Sequence, residues 1–195
     1  MSRQAGLLNQ DLLILQQFRS GFSPEFDILD DQGRVVGMVA GTEGGTRRFF
    51  LGPREFDVLD ADGSRLAHLS DVRDFWRDTY EIVRGDGSML ATVARKVAFF
   101  SRRFSIALST GEEFMVEGDL FSREFDVVGA NDGGVVARAS RERAGLAKAL
   151  LGHDQYALCY PAGTSPDLRL AILGGVIALD LMRAKDARSA ANNST

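Results

Sequence analysis

The chain has 195 residues, enough for one large domain or two small ones. With 45% hydrophobic and 26% charged residues, its composition is that of an ordinary globular protein. The formal net charge of −4 argues against a dedicated nucleic-acid binder, and the single cysteine excludes an intramolecular disulfide framework. Because there are two histidines and no CxxC motif, we predict no metal site and no other cofactor.

The amino-terminal residues 1–8 are predicted to form a flexible segment ahead of a single domain over 9–183. They contain no basic region followed by an apolar run, so we predict no signal peptide and a cytoplasmic protein. The stretch DLLILQQF at 11–18 then predicts the first β-strand.

Most of the domain is predicted to be a hairpin that repeats along the chain. In EFDILDDQGRVVG (25–37) and EFDVLDADGSRLA (55–67), an aromatic residue, one intervening residue and an aliphatic residue precede a glycine-containing turn. This period of two places both large side chains on one face of a strand, and the glycine supplies the positive φ of a tight turn. Such units begin at Phe26, Phe56, Tyr80, Phe104, Phe125 and Tyr156.

The number of units predicts the architecture. The aromatic residues that begin consecutive units lie 21 to 31 positions apart. This length suits two strands and is shorter than the roughly 40–45 residues of a propeller blade. Five hairpins, the strand at 11–18 and QYALCY at 155–160 make twelve strands. We therefore predict a mostly-β fold, a twelve-stranded antiparallel barrel of serial hairpins.

The last predicted element is an apolar helix. Ser165, Pro166 and Asp167 form a helix start, because serine caps, proline suits the first turn and an acid suits the positive end of the dipole. The stretch 170–179 has no polar side chain, and a helix that is apolar on every side is buried on every side. A twelve-stranded barrel has a lumen that a helix ~10–12 Å across can fill, so we predict that the helix lies inside the barrel.

Two other interpretations of this helix remain open from the sequence. One is a membrane span, although Arg169 and Asp180 leave a shorter apolar stretch than the ~20 residues usually needed. The other is a pair of strands that turns at Gly174 and Gly175. The polar, small residues of the tail at 184–195 are expected to be disordered.

Four stretches of the chain, taken in order, are similar to a known family. They are LLILQQ, the serial EFDVLD hairpins, SRERAGLAKALLGHDQYALCYP and DLRLAILGGVIALDLM, which together cover roughly 9–183. In this the chain resembles the phospholipid scramblase and LURP-one-related proteins, whose fold is shared with the tubby carboxy-terminal domain. The resemblance implies a twelve-stranded, tubby-like barrel around a carboxy-terminal helix. Animal scramblases have a proposed calcium segment before the last strand, but GHDQYALCYPA here has only Asp154 as a clear acid, and we expect no calcium site.

The connections between hairpins form the candidate binding surface. A meander of hairpins places all turns at one end of the barrel and all connections at the other. The turns carry a net charge of −5, whereas the connections carry +4 together with aromatic residues. This combination is typical of a surface that meets anionic lipid. The candidate lipid-binding residues are Arg47, Arg48, Arg102, Arg103, Arg141, Arg143, Lys148, Trp76, Phe99 and Phe100.

The same residues also allow a purely structural interpretation, in which the aromatic side chains close the barrel end and the arginines are solvated. The segment 140–151, predicted to be a short amphipathic helix, could likewise be a cover over the barrel end. His68, His153 and Cys159 show no nucleophile or acid–base constellation, so we predict no enzyme.

The predicted function is that of a cytoplasmic binding module without enzymatic activity. It would associate peripherally, at the inner membrane face, with anionic phospholipid or phosphoinositide head groups. The alternative is a structural protein that docks a protein partner and has no lipid role. Phospholipid scrambling, which the family name suggests, fits poorly with a buried helix.

Overall fold

The structure is a computed structural model of the chain, and it describes residues 6–20, 23–42, 55–73, 78–98, 101–119, 124–140 and 155–192. Within these ranges the chain forms a short 3-10 helix (Leu7–Asn9), twelve β-strands and one α-helix, α1 (Pro166–Asn192). The strands are β1 (Leu12–Ser20), β2 (Ser23–Leu29), β3 (Val35–Gly41), β4 (Glu55–Asp60), β5 (Arg65–Arg73), β6 (Asp78–Arg84), β7 (Met89–Ala98), β8 (Ser101–Leu108), β9 (Glu113–Asp119), β10 (Glu124–Gly129), β11 (Val135–Ser140) and β12 (Gln155–Cys159).

The strands form one closed antiparallel barrel in which neighbours in sequence are neighbours in space. β1 closes the barrel because it pairs with β2 on one side and with β12 on the other. Leu15, for example, lies opposite Ile28 of β2 and Tyr156 of β12. This confirms the predicted fold class.

The turns have the geometry that their glycines predict. In the β4–β5 turn, the Asp60 N–H donates to the Ser64 carbonyl and the Gly63 N–H donates to the Asp60 carbonyl, each at 2.9 Å. Gly63 has φ +82°, a conformation that residues other than glycine rarely adopt. The pairing shifts register between Val58 and Leu59, because Leu66 of β5 has no residue opposite it, which is a β-bulge just past the turn.

The first strands of the repeated units contribute two layers of large side chains to the inner face of the barrel. One layer is aromatic, and its members are at most 6% exposed: Phe26, Phe56, Tyr80, Phe104, Phe125 and Tyr156. The other layer is aliphatic and fully buried: Ile28, Val58, Ile82, Ile106, Val127 and Leu158. The repeated triplet is therefore a repeated pair of core positions.

α1 lies inside the barrel, as predicted. Its residues from Leu170 to Leu179 are all buried, and it approaches the aliphatic layer closely at two glycines. A Cβ atom on Gly175 would lie 2.5 Å from Cδ1 of Ile106, and one on Gly174 would lie 2.7 Å from Cδ1 of Ile82. Glycine at these positions lets the helix backbone contact the barrel wall. In the part of the chain that the structure describes, no helix combines the length and apolar character needed to cross a membrane.

The helix begins where the sequence predicts and ends later. The Leu168 N–H donates to Oγ of Ser165 at 3.3 Å, so Ser165 caps the helix. The helix then continues past Arg183 to Asn192, so residues 184–192, which we expected to be disordered, are helical. They continue the helix because Lys185 and Asp186 form ion pairs with barrel strands.

The other end of the domain also starts earlier than the predicted residue 9. Leu7, in the segment expected to be flexible, is 1% exposed and belongs to the core. Its N–H donates to a carboxylate oxygen of Asp60 at 3.1 Å. The 3-10 helix is therefore attached to the β4–β5 turn.

Candidate functional site

The two ends of the barrel, here called the turn pole and the connection pole, differ in how the chain crosses them. The turn pole contains the five hairpin turns, the 3-10 helix and the start of α1. The connection pole contains the opposite ends of the strands and the last residues of α1. Two of the predicted lipid-binding residues, Arg102 and Arg103, lie at the connection pole, near the start of β8.

The structure describes the backbone of two of the ten predicted residues. Arg102 and Arg103 lie in β8, opposite Val97 and Lys96 of β7. The other eight lie outside the described residues: Arg47, Arg48, Trp76, Phe99, Phe100, Arg141, Arg143 and Lys148. Their role at this pole stays a prediction.

β7 and β8 continue past the last residues that pair with their neighbouring strands. Pairing of β7 with β6 ends at Ala94 opposite Thr79, and pairing of β8 with β9 ends at Phe104 opposite Val116. Residues 95–98 and 101–103 pair further with each other, as far as Ala98 opposite Ser101. We call these residues the β7–β8 ribbon. At ~3.4 Å per residue, it reaches about 10 Å past the last pair that either strand makes with the barrel.

Gly118 of β9 lies just past the point where β9 stops pairing with β8. Gly118 has φ +124°, and a Cβ atom there would lie 2.7 Å from the Glu124 carbonyl oxygen and 2.8 Å from Cα of Phe125. Other residues would be strained in this conformation. From Glu117 onwards, the described residues of β9 pair with β10 alone. Along its β9 side, the ribbon pairs with none of the residues that the structure describes.

Arg95, at the base of the ribbon, joins the barrel to the end of α1. Its Nη1 and Nη2 atoms lie 3.2 Å and 3.1 Å from the two carboxylate oxygens of Asp186, a bidentate geometry. Nη1 also lies 3.3 Å from Oδ2 of Asp78 in β6. The guanidinium stacks at 5.5 Å from the ring centroid of Phe104. With 12% of its side chain exposed, Arg95 is largely withdrawn from water, where such pairs are stronger than on an open surface.

Lys185 extends this cluster to a third strand. Its Nζ lies 2.7 Å from Oδ1 of Asp78 and 3.8 Å from Oδ2 of Asp71 in β5. We call the five side chains Asp71, Asp78, Arg95, Lys185 and Asp186 the rim network. Its acids are paired with bases, so they oppose an approaching anion less than free acids would.

The acids of the turn pole are used locally. Asp30 is fully buried and accepts hydrogen bonds from the Gln32 and Arg34 N–H groups, both at 2.9 Å, and from Nε of Arg34 at 2.7 Å. Burial acts to raise the pKa of Asp30, but the hydrogen bonds from Arg34 and Gln32 outweigh it and hold the pKa below its usual value. Asp30 is therefore a structural acid of the turn.

The start of α1 forms contacts at the turn pole with residues that are distant in sequence. Arg169, only 6% exposed, donates to the carbonyls of Gln10 and Thr164 and pairs with Asp11. Asp167 pairs with Arg84 of β6 at 2.9 Å. A cleft of about 180 Å³ lies beside this pair, between α1 and the β6–β7 and β8–β9 turns. None of the predicted lipid-binding residues is among those that line it.

Neither a metal site nor a catalytic group emerges from the described residues. Among them, no three His, Cys, Asp or Glu side chains converge as metal ligands. Nδ1 of His68 lies 2.8 Å from Oδ1 of Asp57, across the β4–β5 pair. This is a cross-strand contact on the outer face of the barrel.

The rim network is not predicted from the sequence, although one local signal favours the longer helix that supplies it. The stretch AKDARSAAN at 184–192 is rich in alanine and contains no glycine or proline, so its helix propensity favours continuation. We expect it to be disordered because its residues are polar and small. Its contacts with Asp78 and Arg95 depend on the closed barrel and leave no local pattern.

Two of three comparisons relate the chain to known proteins. The model of a family described as LURP-one-related matches residues 10–180. A crystal structure of a protein from Arabidopsis thaliana has a TM-score of 0.60 and 19% identity, over 88% of this chain and 91% of that chain. At this identity the likeness shows the fold alone. The comparison with curated proteins gives no match. The resemblance to phospholipid scramblases stays a prediction.

Proposed function

Since the chain belongs to the LURP-one-related family, we propose that it is a binding module without enzymatic activity, whose ligand contacts the outside of the barrel. One observation carries this proposal: α1 fills the lumen. Residues 170–179 are buried against the barrel wall, with glycines at the closest approaches. A ligand therefore has to bind on the exterior or at a pole.

The connection pole is the better candidate of the two poles. At the turn pole, Asp30, Asp62 and Asp86 accept hydrogen bonds within their own turns. At the connection pole, the β7–β8 ribbon carries Arg102 and Arg103 beyond the barrel wall. The chemistry there suits a negatively charged partner.

The partner that we propose is an anionic phospholipid surface, bound peripherally. Each basic residue close to such a surface contributes about 1 kcal/mol. Lys96, Arg102 and Arg103 of the ribbon would therefore supply about 3 kcal/mol, before any contribution from the aromatic residues predicted beside them. Such binding would weaken as salt rises, because exposed charges are screened over ~8 Å at physiological ionic strength.

Flotation with vesicles tests this proposal. Wild-type protein should float with vesicles of phosphatidylcholine and phosphatidylserine at low salt, and not with phosphatidylcholine alone. Arg102→Glu and Arg103→Glu should each weaken flotation without lowering the melting temperature. A wild type that stays unbound at low salt would contradict the proposal.

Arg65→Glu is the matched control at the turn pole. The Arg65 side chain is 50% exposed and lies 3.9 Å from Asp57, at the limit of ion pairing. Its reversal should leave flotation unchanged, since it changes the net charge equally at the other pole. Arg34 is unsuitable as a control, because it binds the buried Asp30.

Docking of a protein partner is a second candidate, favoured by one observation. On the outer face of β3, Val35 and Met38 are 49% and 41% exposed. Methionine is enriched at protein interfaces relative to the rest of the protein surface. This function predicts no vesicle binding for any variant, and Met38→Lys would then remove the interaction.

A further inference from the structure

The end of α1 and the base of the β7–β8 ribbon meet at a single side chain. Arg95 is the first residue of the ribbon and contacts both carboxylate oxygens of Asp186. Asp186 lies in the part of the helix that continues beyond the apolar stretch. These contacts connect residues 91 positions apart in the sequence.

The ribbon needs such a contact to hold one orientation. Its residues pair with each other and with no other described strand, and an isolated two-stranded hairpin is at best marginally stable in water. A bidentate arginine–carboxylate pair fixes direction as well as distance. Stacking of the Arg95 guanidinium on Phe104, the residue that ends the ribbon on β8, adds a second constraint.

We propose that Arg95, held by Asp186 and Asp78, is the positioning residue that orients the β7–β8 ribbon toward an anionic lipid surface. This inference rests on the proposed function. Arg95 itself, with 12% of its side chain exposed, does not need to contact lipid. The carboxy-terminal part of α1 thereby acquires a role, since it supplies Asp186.

The proposal predicts an effect opposite in sign to that of charge alone. Asp186→Asn removes a negative charge from the connection pole, so simple electrostatics predicts tighter binding to anionic vesicles. If Asp186 positions the ribbon, the same substitution loosens the ribbon and weakens binding, by roughly threefold or more. The direction of the change therefore separates positioning from charge.

A matched control isolates this effect. Asp126 pairs with Arg138 across β10 and β11, at 2.7 Å, on the outer face of the barrel. Asp126→Asn makes the same charge change without contacting the ribbon, so it should leave vesicle binding unchanged or slightly tighter. Asp186→Glu, which keeps the carboxylate, should restore most of the binding that Asp186→Asn loses.

The experiment combines two measurements on full-length protein. Flotation with phosphatidylcholine–phosphatidylserine vesicles should rank Asp186→Asn below both wild type and Asp126→Asn, at similar melting temperatures. Amide hydrogen exchange without lipid should be faster at 95–98 and 101–103 in Asp186→Asn than in wild type. Asp186→Asn binding as well as Asp126→Asn, or exchanging at the wild-type rate in the ribbon, would overturn the inference.

Failure of the proposed function would look different. In that case wild type does not float, whereas the exchange measurement still shows whether Asp186 holds the ribbon. Faster ribbon exchange without any vesicle binding would keep the positioning of the ribbon and overturn its lipid role.

Discussion

The hairpin turns at one pole and the rim network at the other are held by contacts of very different range in the sequence. At the turn pole, Asp62 accepts a hydrogen bond from Ser64, two residues away. At the connection pole, Lys185 binds Asp78 across 107 residues. A turn can therefore form as soon as its own hairpin does, whereas the rim network requires the closed barrel and the inserted helix. Local chemistry builds the hairpin turns, whereas tertiary structure builds the rim network and also the contacts of Arg169 and Asp167 at the turn pole.

This difference also separates charges that hold the hairpin turns together from charges that can bind a partner. The turn acids are bound by backbone N–H groups in the same turn, so they are part of the hairpin geometry. The ribbon at the connection pole extends past the barrel wall, and its position depends on a few distant ion pairs. A pole of the second kind suits binding, because its contacts can be changed without disturbing the hairpins.

The largest expected effect comes from breaking the element that both poles share. Leu173 of α1 is fully buried in the core. Leu173→Asp places an unpaired charge there, which costs several kcal/mol against a total stability of ~5–15 kcal/mol. We expect no stable barrel, as judged by circular dichroism and thermal melting.

The matched control keeps the size of the side chain. Leu173→Met should cost less than about 1.5 kcal/mol, because it conserves volume and apolar character. A soluble Leu173→Asp variant that melts like wild type would show that the helix lies outside the core.

A smaller effect should result from loosening the turn pole alone. Asp30→Asn weakens three hydrogen bonds to a buried carboxylate and should reduce the free energy of unfolding by about 2 kcal/mol. The pKa of Asp30 lies below its ordinary 3.8 in the folded protein, so its contribution is present above that pH. This stabilising contribution is lost as the pH falls toward the pKa of Asp30 in the folded protein.

Denaturant unfolding at pH 7 and at pH 3 measures this difference. The gap in stability between wild type and Asp30→Asn should shrink at the lower pH. Asp31→Asn is the control, because Asp31 is exposed and should change stability by less than about 0.5 kcal/mol. Equal effects at positions 30 and 31 would show that the turn acids are not structural.

The turn pole and the core could be predicted from sequence because their signals are local. Within eight residues, Phe56 and Val58 predict the buried face of a strand and Gly63 predicts a turn. The structure confirms both. Ser165 and Pro166 likewise predict the start of α1. The apolar stretch of the helix and the number of hairpins together predict the filled barrel.

The rim network and the β7–β8 ribbon at the connection pole could not be predicted from the sequence, for physical reasons. Arg95 and Asp186 carry no pattern that relates them, since each is an ordinary charged residue on its own element. The length of the ribbon depends on where neighbouring strands stop pairing, as β9 does near Gly118. Such endpoints follow from the twist and closure of the whole sheet, which single-strand patterns do not contain.

The central claim is that the connection pole, and not the turn pole, meets an anionic surface. Amide hydrogen exchange of wild type, with and without phosphatidylcholine–phosphatidylserine vesicles, tests it most directly. We predict vesicle-dependent protection at 95–98 and 101–103, and unchanged exchange in the turns at 30–34 and 61–64. Protection confined to the turns, or no protection anywhere at low salt, would contradict the account.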